Sequence, residues 1–566
     1  MIQPLKMKIK DFGLFSLKIS FALIPPLIAL FILQIHNVDM PVGDQIRNPG
    51  THFEAIAMGT FEIGDLFSLF NDSRKAVPSA IILLLSTFDG LWLQSRERVV
   101  AIVLGMVSVI FMAIIYQKTF PNKKRLQLLL TIIFASLYFA PASYYRWSYA
   151  PLHRTLPDFF LICSCLVYTL QIPLWRKTFF YSLTGIFAQL SFASGLFIWP
   201  CNLLLLIFDN CYFYQKKKKL FILISVAILS ITLYFSGDYN LHTSGHEAQS
   251  LIHILQAFPT LSLAAFGRYI DPSAVTLIGY LLFFLLTIFV VIAWKTNNFN
   301  NCLPFFVLCI WIIILSVPIS LRRADLIVNP VESSRYYNSS AIFLIGFISL
   351  IFAIGFLNNS RWQKQTVISV FTGLLLLLIH QNNNSLWLFK AMRSDFLNTK
   401  THYELINFIP EEWLSSRYGY TIDNPSERLK RLSNAGILPF SPLQKFPPTI
   451  TDITQKDRPK VEGEVTSLEI TNSKLIAYGW AAIEETPADS VVFVHQMTLR
   501  EREVLSIDNV YDPRQKLSKE KGIKYFNTGW YTEIELNHII AKDHIKIYAY
   551  DSDTRKLYLL PLINQL

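Results

Sequence analysis

The sequence predicts an α-helical polytopic membrane protein, with about eleven spans of the usual ~20-residue length and a C-terminal β-sandwich domain facing outward. Three observations predict it. The 566 residues are 52% hydrophobic and only 16% charged, with a mean hydropathy of +0.37, which is more apolar than a soluble globular chain sustains. Apolar runs near the length needed to cross a bilayer recur through the first two thirds. After about residue 382 they stop, and from 461 apolar and polar residues alternate instead.

In order along the chain, "MIQPLKMKIKDFGLFSLKISFALIPPLIALFILQI" has a basic start and an apolar run too long for a signal peptide. No small-residue cleavage site follows, so 13–35 is read as a retained first span. Further spans are expected at 98–117, 126–143, 158–174, 178–193, 196–212, 220–236, 274–294, 302–321, 341–357 and 366–381. The pair 178–193 and 196–212 is broken at "SGLFIWP" and flanked by basic residues, which predicts a hairpin that returns to its starting side. Between the first two spans, "GDLFSLFNDSRKAVPSAIILLLSTFDG" (64–90) has helical spacing in runs too short to span, and predicts one or two amphipathic interfacial helices. The loop 237–273 contains another helical stretch, "GHEAQSLIHILQAF".

Lysine and arginine gather in alternate loops: Lys6, Lys8 and Lys10, then "NKKR" 122–125, Arg176 and Lys177, "KKKK" 216–219, Lys295, and Arg361 with Lys364. By the positive-inside rule that side, with the N-terminus, is cytoplasmic. The long acid-bearing segments 36–97, 144–157, 237–273, 322–340 and everything after 382 fall outside. Residues 1–384 are thus expected to form the transmembrane core and 385–440 a helical outer segment. A Pro-containing linker follows at 441–460, and 461–566 are expected to form the β-sandwich, with strands in "SKLIAYGWAAIE", "DSVVFVHQ", "TEIELN" and "HIKIYAYDSD".

The net charge of +11 is explained by topology rather than by a nucleic-acid partner. All six cysteines (Cys163, Cys165, Cys201, Cys211, Cys302, Cys309) lie in or beside apolar runs, where they read as small buried core residues. No zinc spacing, phosphate-cradling Gly-rich loop or nucleotide fingerprint is present. No cofactor is expected, and a divalent metal has no sequence support. Membrane lipids are the partners that the apolar runs require.

The acidic first outer loop, "LFNDSRKAVPSAIILLLSTFDG", "YRWSYAPLHRTLPDFF" and "NPVESSRYYNSSAIFLIGF" together resemble the GT-C superfamily of polyprenyl-phosphate-sugar-dependent glycosyltransferases, in particular its multi-span bacterial members, over roughly residues 1–435. "AYGWA", "YDPRQKL", "FNTGWYTEIEL" and "IYAYD" resemble accessory sandwich modules of bacterial cell-envelope sugar enzymes. The resemblance implies a lipid-linked sugar donor at the outer leaflet and a glycan, lipid or protein acceptor from the aqueous side. It also implies a catalytic base in the first outer loop. The sequence departs from the family pattern at Ser73, where relatives carry His, and lacks the adjacent acid pair of protein mannosyltransferases, so the acceptor class stays open.

"HNVDMPVGDQIRNP" (36–49) offers two acids for the base. Asp44, close to Arg47, matches the family position better than Asp39; the alternative for either is an ordinary loop acid or an Asx turn. Arg335 in "ESSRYYN" can grip phosphate oxygens through two parallel hydrogen bonds, with Tyr336 in support, or the two can simply anchor a span at the headgroups. Arg74, His153, Arg154 and His246 are substrate-groove candidates. The His242, His246 and Glu247 spacing argues against a metal site, with Gly245 between the histidines and no HExxH pattern. Arg322 and Arg323 read as interfacial anchors. The aromatic "SYYRWSY" (143–149) and "LFIWP" (196–200) line a groove or form part of the aromatic belt. The rival functions are a polymerase or ligase of lipid-linked glycans and a non-enzymatic flippase or transporter.

Overall fold

The computed structural model describes residues 19–41, 44–70, 73–140, 147, 151–209, 213–237, 251–263, 272–328, 337–357, 365, 372, 393–409, 425–450, 461–471, 474–484, 486–496, 502–510, 528–535, 540 and 544–562. The helices in chain order begin with α1 (Ile24–Ile35), α2 (Asp44–Arg47), α3 (Gly50–Ala57), α4 (Ala76–Ser86), α5 (Gln94–Thr119), α6 (Lys124–Tyr138), α7 (Pro151–Thr169), α8 (Leu174–Gln189) and α9 (Ile198–Ile207). They continue with α10 (Phe213–Phe235), α11 (Leu251–Leu263), α12 (Pro272–Lys295), α13 (Phe299–Val328) and α14 (Tyr337–Leu357). After these come α15 over 393–404 and α16 (Pro425–Asn434). The chain divides into two compact units, one of Met1–Ile35, Glu62–Ile81 and Arg96–Leu388, the other of His36–Phe61, Ile82–Ser95 and Phe389–Leu566.

Among the described residues of the first unit, four helices are long and apolar enough to cross a membrane: Gln94–Thr119, Lys216–Phe235, Thr276–Lys295 and Phe299–Leu321. Their burial differs with their place. Only 17% of the apolar window of α10 and 22% of that of α12 is buried, against 61% for α13, so α10 and α12 present apolar side chains outward as lipid-facing helices do. Shorter apolar helices lie at the expected first span, the second half of the hairpin and a late span, so four span-length helices among the described residues stand against the roughly eleven spans expected. The segment 366–381, apart from residue 372, lies outside the described residues.

The predicted hairpin is formed by α8, a 3₁₀ turn at Ala193–Phe197, and α9. A Cβ on Gly195 would stand 2.0 Å from the Ala188 carbonyl oxygen, so the turn requires glycine. The two helices run antiparallel: Trp199 Nε1 donates to Gln189 Oε1 at 2.8 Å, Asn202 Nδ2 to the Tyr181 carbonyl at 2.8 Å, and Lys177 Nζ to Asp209 Oδ2 at 2.6 Å. Lys177 is therefore a buried, paired charge rather than a free loop cation. The core of this unit closes where α13 meets α14, with Gly346 so near the Phe305 carbonyl that a Cβ would lie at 2.7 Å. Cys165, Cys201, Cys302 and Cys309 are buried free thiols, as expected, and Cys163 is a half-buried one; Cys309 Sγ donates to the Phe343 carbonyl at 3.6 Å. Cys211 lies outside the described residues.

The 64–90 segment departs from its expected helical form. It holds a 3₁₀ turn (Ile63–Phe67), the hairpin strands β1 (Leu69–Phe70) and β2 (Ser73–Arg74), and only then the helix α4. The polar "NDSR" interrupts the apolar period, and the chain on either side of it pairs as two antiparallel strands instead of continuing as a helix.

In the second unit the C-terminal strands are β3 (Thr449–Ile450), β4 (Val461–Ile470), β5 (Lys474–Ile483), β6 (Thr486–Pro487), β7 (Ser490–Gln496), β8 (Arg502–Asp508), β9 (Gly529–Glu535), β10 (Ile545–Asp551) and β11 (Lys556–Leu559). They form a five-stranded sheet in the order β3-β11-β10-β7-β8 and a second sheet β4-β5-β6 with β9 also on β5. One core serves both sheets: Val465, Leu475, Ala477 and Trp530 pack with Val491, Phe493, Ile547 and Tyr558. One detail differs from expectation. Thr449 and Ile450, read as linker, form a strand, which pairs with β11 in parallel. Two β-branched residues suffice to extend a sheet edge even beside a Pro-rich stretch.

Candidate functional site

Asp39 follows α1 in an extended stretch. Its Oδ2 accepts the Asn37 side-chain amide at 3.0 Å and its Oδ1 accepts the Ser95 backbone N–H at 2.7 Å. Ser95 lies in the first turn of α5, where N–H groups have no intrahelical carbonyl and the helix end is electropositive. Asp39 thus caps a span-length helix from 56 residues away in sequence.

Asp44 opens α2. Its side chain and that of Arg47 lie outside the described residues. The backbone around it is firmly held: the buried Gln45 Nε2 donates to Gln94 Oε1 at 2.7 Å, Ile46 is buried, and Asn48 Nδ2 stands 3.4 Å from His52 Nε2. Behind the loop, Met40 and Ile46 face Tyr403, Ile406 and Leu429 across a void of about 10 Å³, large enough for at most one water. The loop is therefore a packed element. Farther along it, Glu54 is buried between Arg428 and Arg431, each Nε at 2.7 Å from a carboxylate oxygen.

A second cluster lies within the first unit. Arg74 Nε donates to the Tyr234 carbonyl at 2.7 Å, and its terminal nitrogens donate to the Ser236 carbonyl at 2.5 Å and to the Phe67 carbonyl. These carbonyls include those left open at the C-terminal end of α10, where a cation also meets the negative end of the helix dipole. Arg74 thus holds the end of α10 in place. Its neighbour Lys75 is buried, with Nζ 4.0 Å above the Phe70 ring and 6.0 Å from that of Phe192, a cation–π arrangement. The His153 ring lies 5.0 Å from Phe192. Burial first, then the charges of Lys75 and Arg154, hold His153 well below the ordinary imidazole range, so it is neutral at physiological pH. Glu97 fixes the head of this helix, accepting the Leu152 N–H at 3.3 Å. The structure brings His153 and Arg154 together with Lys75, and turns Arg74 toward backbone carbonyls.

Arg335, Tyr336, His242, His246 and Glu247 lie outside the described residues, as do the side chains of Arg322 and Arg323 at the end of α13. Of the aromatic candidates, Trp199 is buried against the hairpin and Trp147 is stacked on Phe139 at 4.8 Å, so both are interior packing residues. Among the described residues no group of three His, Cys, Asp or Glu is placed to hold a metal ion. Sequence reasoning missed Lys75, Glu97 and Glu54. The available signal for Glu97 was an acid at the head of a long apolar run; Lys75 and Glu54 had none, because their partners are distant in sequence.

No protein-family model matches the chain, and no curated protein matches its sequence. Among solved structures it is similar to the archaeal oligosaccharyltransferase AglB from Archaeoglobus fulgidus, in complex with an inhibitory peptide and a dolichol-phosphate, at 11% identity and a TM-score of 0.39. That likeness covers 79% of this chain and 63% of the archaeal one, so the chain spans less than two thirds of that protein's length. At this level nothing about substrate or mechanism follows from it.

Proposed function

We propose that the chain is a membrane glycosyltransferase of GT-C type, moving a sugar from a polyprenyl phosphate carrier to a cell-envelope glycan, lipid or protein acceptor at the outer face. The carrying observation is the fastening of the acid-bearing loop to the head of a span-length helix, through Asp39 to Ser95 and Gln45 to Gln94. In this reading the head of that helix lies at the boundary between the apolar and aqueous phases. Only at that boundary do a lipid-bound phosphate and a water-soluble acceptor meet.

In this reading Asp44 takes the proton of the acceptor hydroxyl as its oxygen attacks the anomeric carbon. The bond from that carbon to the phosphate oxygen breaks, its electron pair leaves with the phosphate, and configuration inverts. Asp39, with both oxygens engaged, positions the loop. Arg335 and Tyr336 receive the departing phosphate. Lys75 and Arg154 lend positive charge to the groove beside neutral His153, and Arg74 holds the groove's wall through α10; His246 contributes from the loop before α11. Removing general-base assistance typically slows a reaction about 10²- to 10⁴-fold. Purified Asp44→Asn assayed in detergent with a polyprenyl-phosphate sugar should show a loss of that size per folded molecule. Turnover within a few-fold of wild type would return Asp44 to the status of a turn residue. Arg335→Lys keeps charge but loses the planar two-point grip, and should weaken donor binding and transfer together.

The orientation belongs to the same proposal, with the N-terminus cytoplasmic and the region after 385 outside. Reporter fusions after Lys219 and after Leu566 should report opposite sides. The same side for both would refute the odd number of spans expected between those two points.

A further inference from the structure

The alternation of β5 separates two faces of its sheet. Leu475, Ala477 and Ala481 enter the core shared by both sheets, whereas Trp480 and Ala482 form a cluster of their own on the opposite face. On that outer face stands Tyr478, directly opposite Tyr531 of β9 in the antiparallel register. Tyr478 is 39% exposed and Tyr531 53%, and among the described residues after 393 no other large hydrophobic side chain is exposed. Two aromatic rings therefore lie side by side on a sheet whose other large apolar side chains, among the described residues, are buried or half-buried. Around them the register places Ser467 beside Tyr478, Glu464 beside Trp480, and Glu469 and Glu533 on either side of Ile476. At the Trp480 end of the face, Gly529 opposite Trp480 is buried, as are Trp480 and Ala482, so the exposed part of the platform is the tyrosine pair. Among the described residues of this face Lys474 is the cation, and it is paired with Glu533 at 2.7 Å.

We propose that the outer face of the β4-β5-β9 sheet binds a glycan chain free of anionic groups, with Tyr478 and Tyr531 as its stacking platform and Glu464, Glu469 and Glu533 as acceptors of sugar hydroxyl or amine protons. The C–H faces of pyranose rings are apolar and flat, which suits aromatic rings presented on neighbouring strands of a sheet. Tyrosine supplies that area with two rotatable bonds, so little conformational entropy is lost on binding. Carboxylates accept hydroxyl and amine hydrogens strongly. Among the described residues of this face three acids stand against one paired lysine, a balance that disfavours phosphate- or uronate-bearing polymers and favours a neutral or amine-bearing chain. This site is separate from the proposed transfer chemistry and stands or falls independently of it.

The test uses the purified full-length chain in detergent, titrated with cellohexaose, maltohexaose, chitohexaose, a glucosamine hexamer, a galacturonate oligomer and an arginine- and proline-rich peptide. At least one neutral or amine-bearing oligosaccharide should bind, and the galacturonate oligomer should not. Tyr478→Ala and Tyr531→Ala should each weaken that binding about tenfold, in the range of truncating an aromatic anchor. Tyr531→Phe should retain it, because the ring and not the hydroxyl does the stacking. All three substitutions are at exposed side chains, and unchanged thermal midpoints would confirm that the fold is intact. Binding of the peptide alone, preference for the galacturonate oligomer, no binding of any oligosaccharide, or alanine variants that bind as the wild type does would each overturn the proposal.

Discussion

Glu404, at the end of α15, has a side chain only 1% exposed, and is met by Tyr550, whose hydroxyl donates at 2.7 Å, and by Arg555 Nε at 3.5 Å. Burial raises its carboxyl above the ordinary range, against the lowering effect of Tyr550, Lys400 and Arg555, while Asp489 raises it further. Asp489 is raised as well, first by burial and against two hydrogen bonds from Ser552. A raised acid makes the folded state bind protons that the unfolded state releases. Its stabilisation is therefore complete below the unfolded value, about 4.3 for glutamate, and is lost as pH rises through the folded value. Glutamine keeps an acceptor for Tyr550 and cannot titrate. Glu404→Gln should hence be at least as stable as wild type at pH 8 and should gain less on acidification to pH 5. Thermal midpoints at the two pH values check this, and an unchanged difference between them would remove Glu404 as the source.

The α8–α9 hairpin rests on one ion pair at its open end and one glycine at its closed end. With side chains only 9% and 7% exposed, Lys177 and Asp209 illustrate how a buried pair is fragile to the loss of one partner yet replaceable as a pair. Lys177→Met should destabilise the protein by about 3–5 kcal/mol, because Asp209 is left buried and charged. Lys177→Met with Asp209→Leu should recover most of that loss. Denaturation midpoints of the two variants in one detergent decide it: equal losses would mean that the pair itself, rather than the orphaned acid, carries the stability. At the closed end, Gly195→Ala places a methyl 2.0 Å from the Ala188 carbonyl, a contact no rotamer relieves. Its expected result is loss of folded protein in membranes, read by size-exclusion after solubilisation.

How far the chain could be read from its sequence follows from the range of the forces involved. Strands β5, β7 and β10 lie where alternation put them, and helices cover most of the expected spans, because both patterns are written within ten or twenty neighbouring residues. The joining of 36–61 and 82–95 to 389–566 in one unit was not legible. It depends on pairs such as Glu54 with Arg428, 374 positions apart, which no local period announces. Within the candidate site, the acid-bearing loop was legible from its place after a span, whereas the capping role of Asp39 and the burial of Lys75 come from tertiary packing. The same distinction sets the behaviour of the C-terminal strands in isolation. Among the described residues their shared core draws on those from Val461 onward, so a 455–566 fragment should unfold cooperatively without disulfides or metal. That fragment lacks α15 and β3, and with them the bond from Ser490 Oγ to Thr401 Oγ1 at 2.9 Å, the acceptor for buried Tyr550, and the Phe408 carbonyl that takes the Val504 N–H at 3.1 Å. Each lost hydrogen bond is worth about 1 kcal/mol, and in a domain of this size about 1 kcal/mol moves the midpoint by roughly 4–8 °C. A 389–566 fragment should therefore melt about 10 °C or more above 455–566. Equal midpoints would show that α15 lies on a finished domain without supporting it, and a 455–566 chain with no cooperative transition would show that the shared core alone is too small to fold.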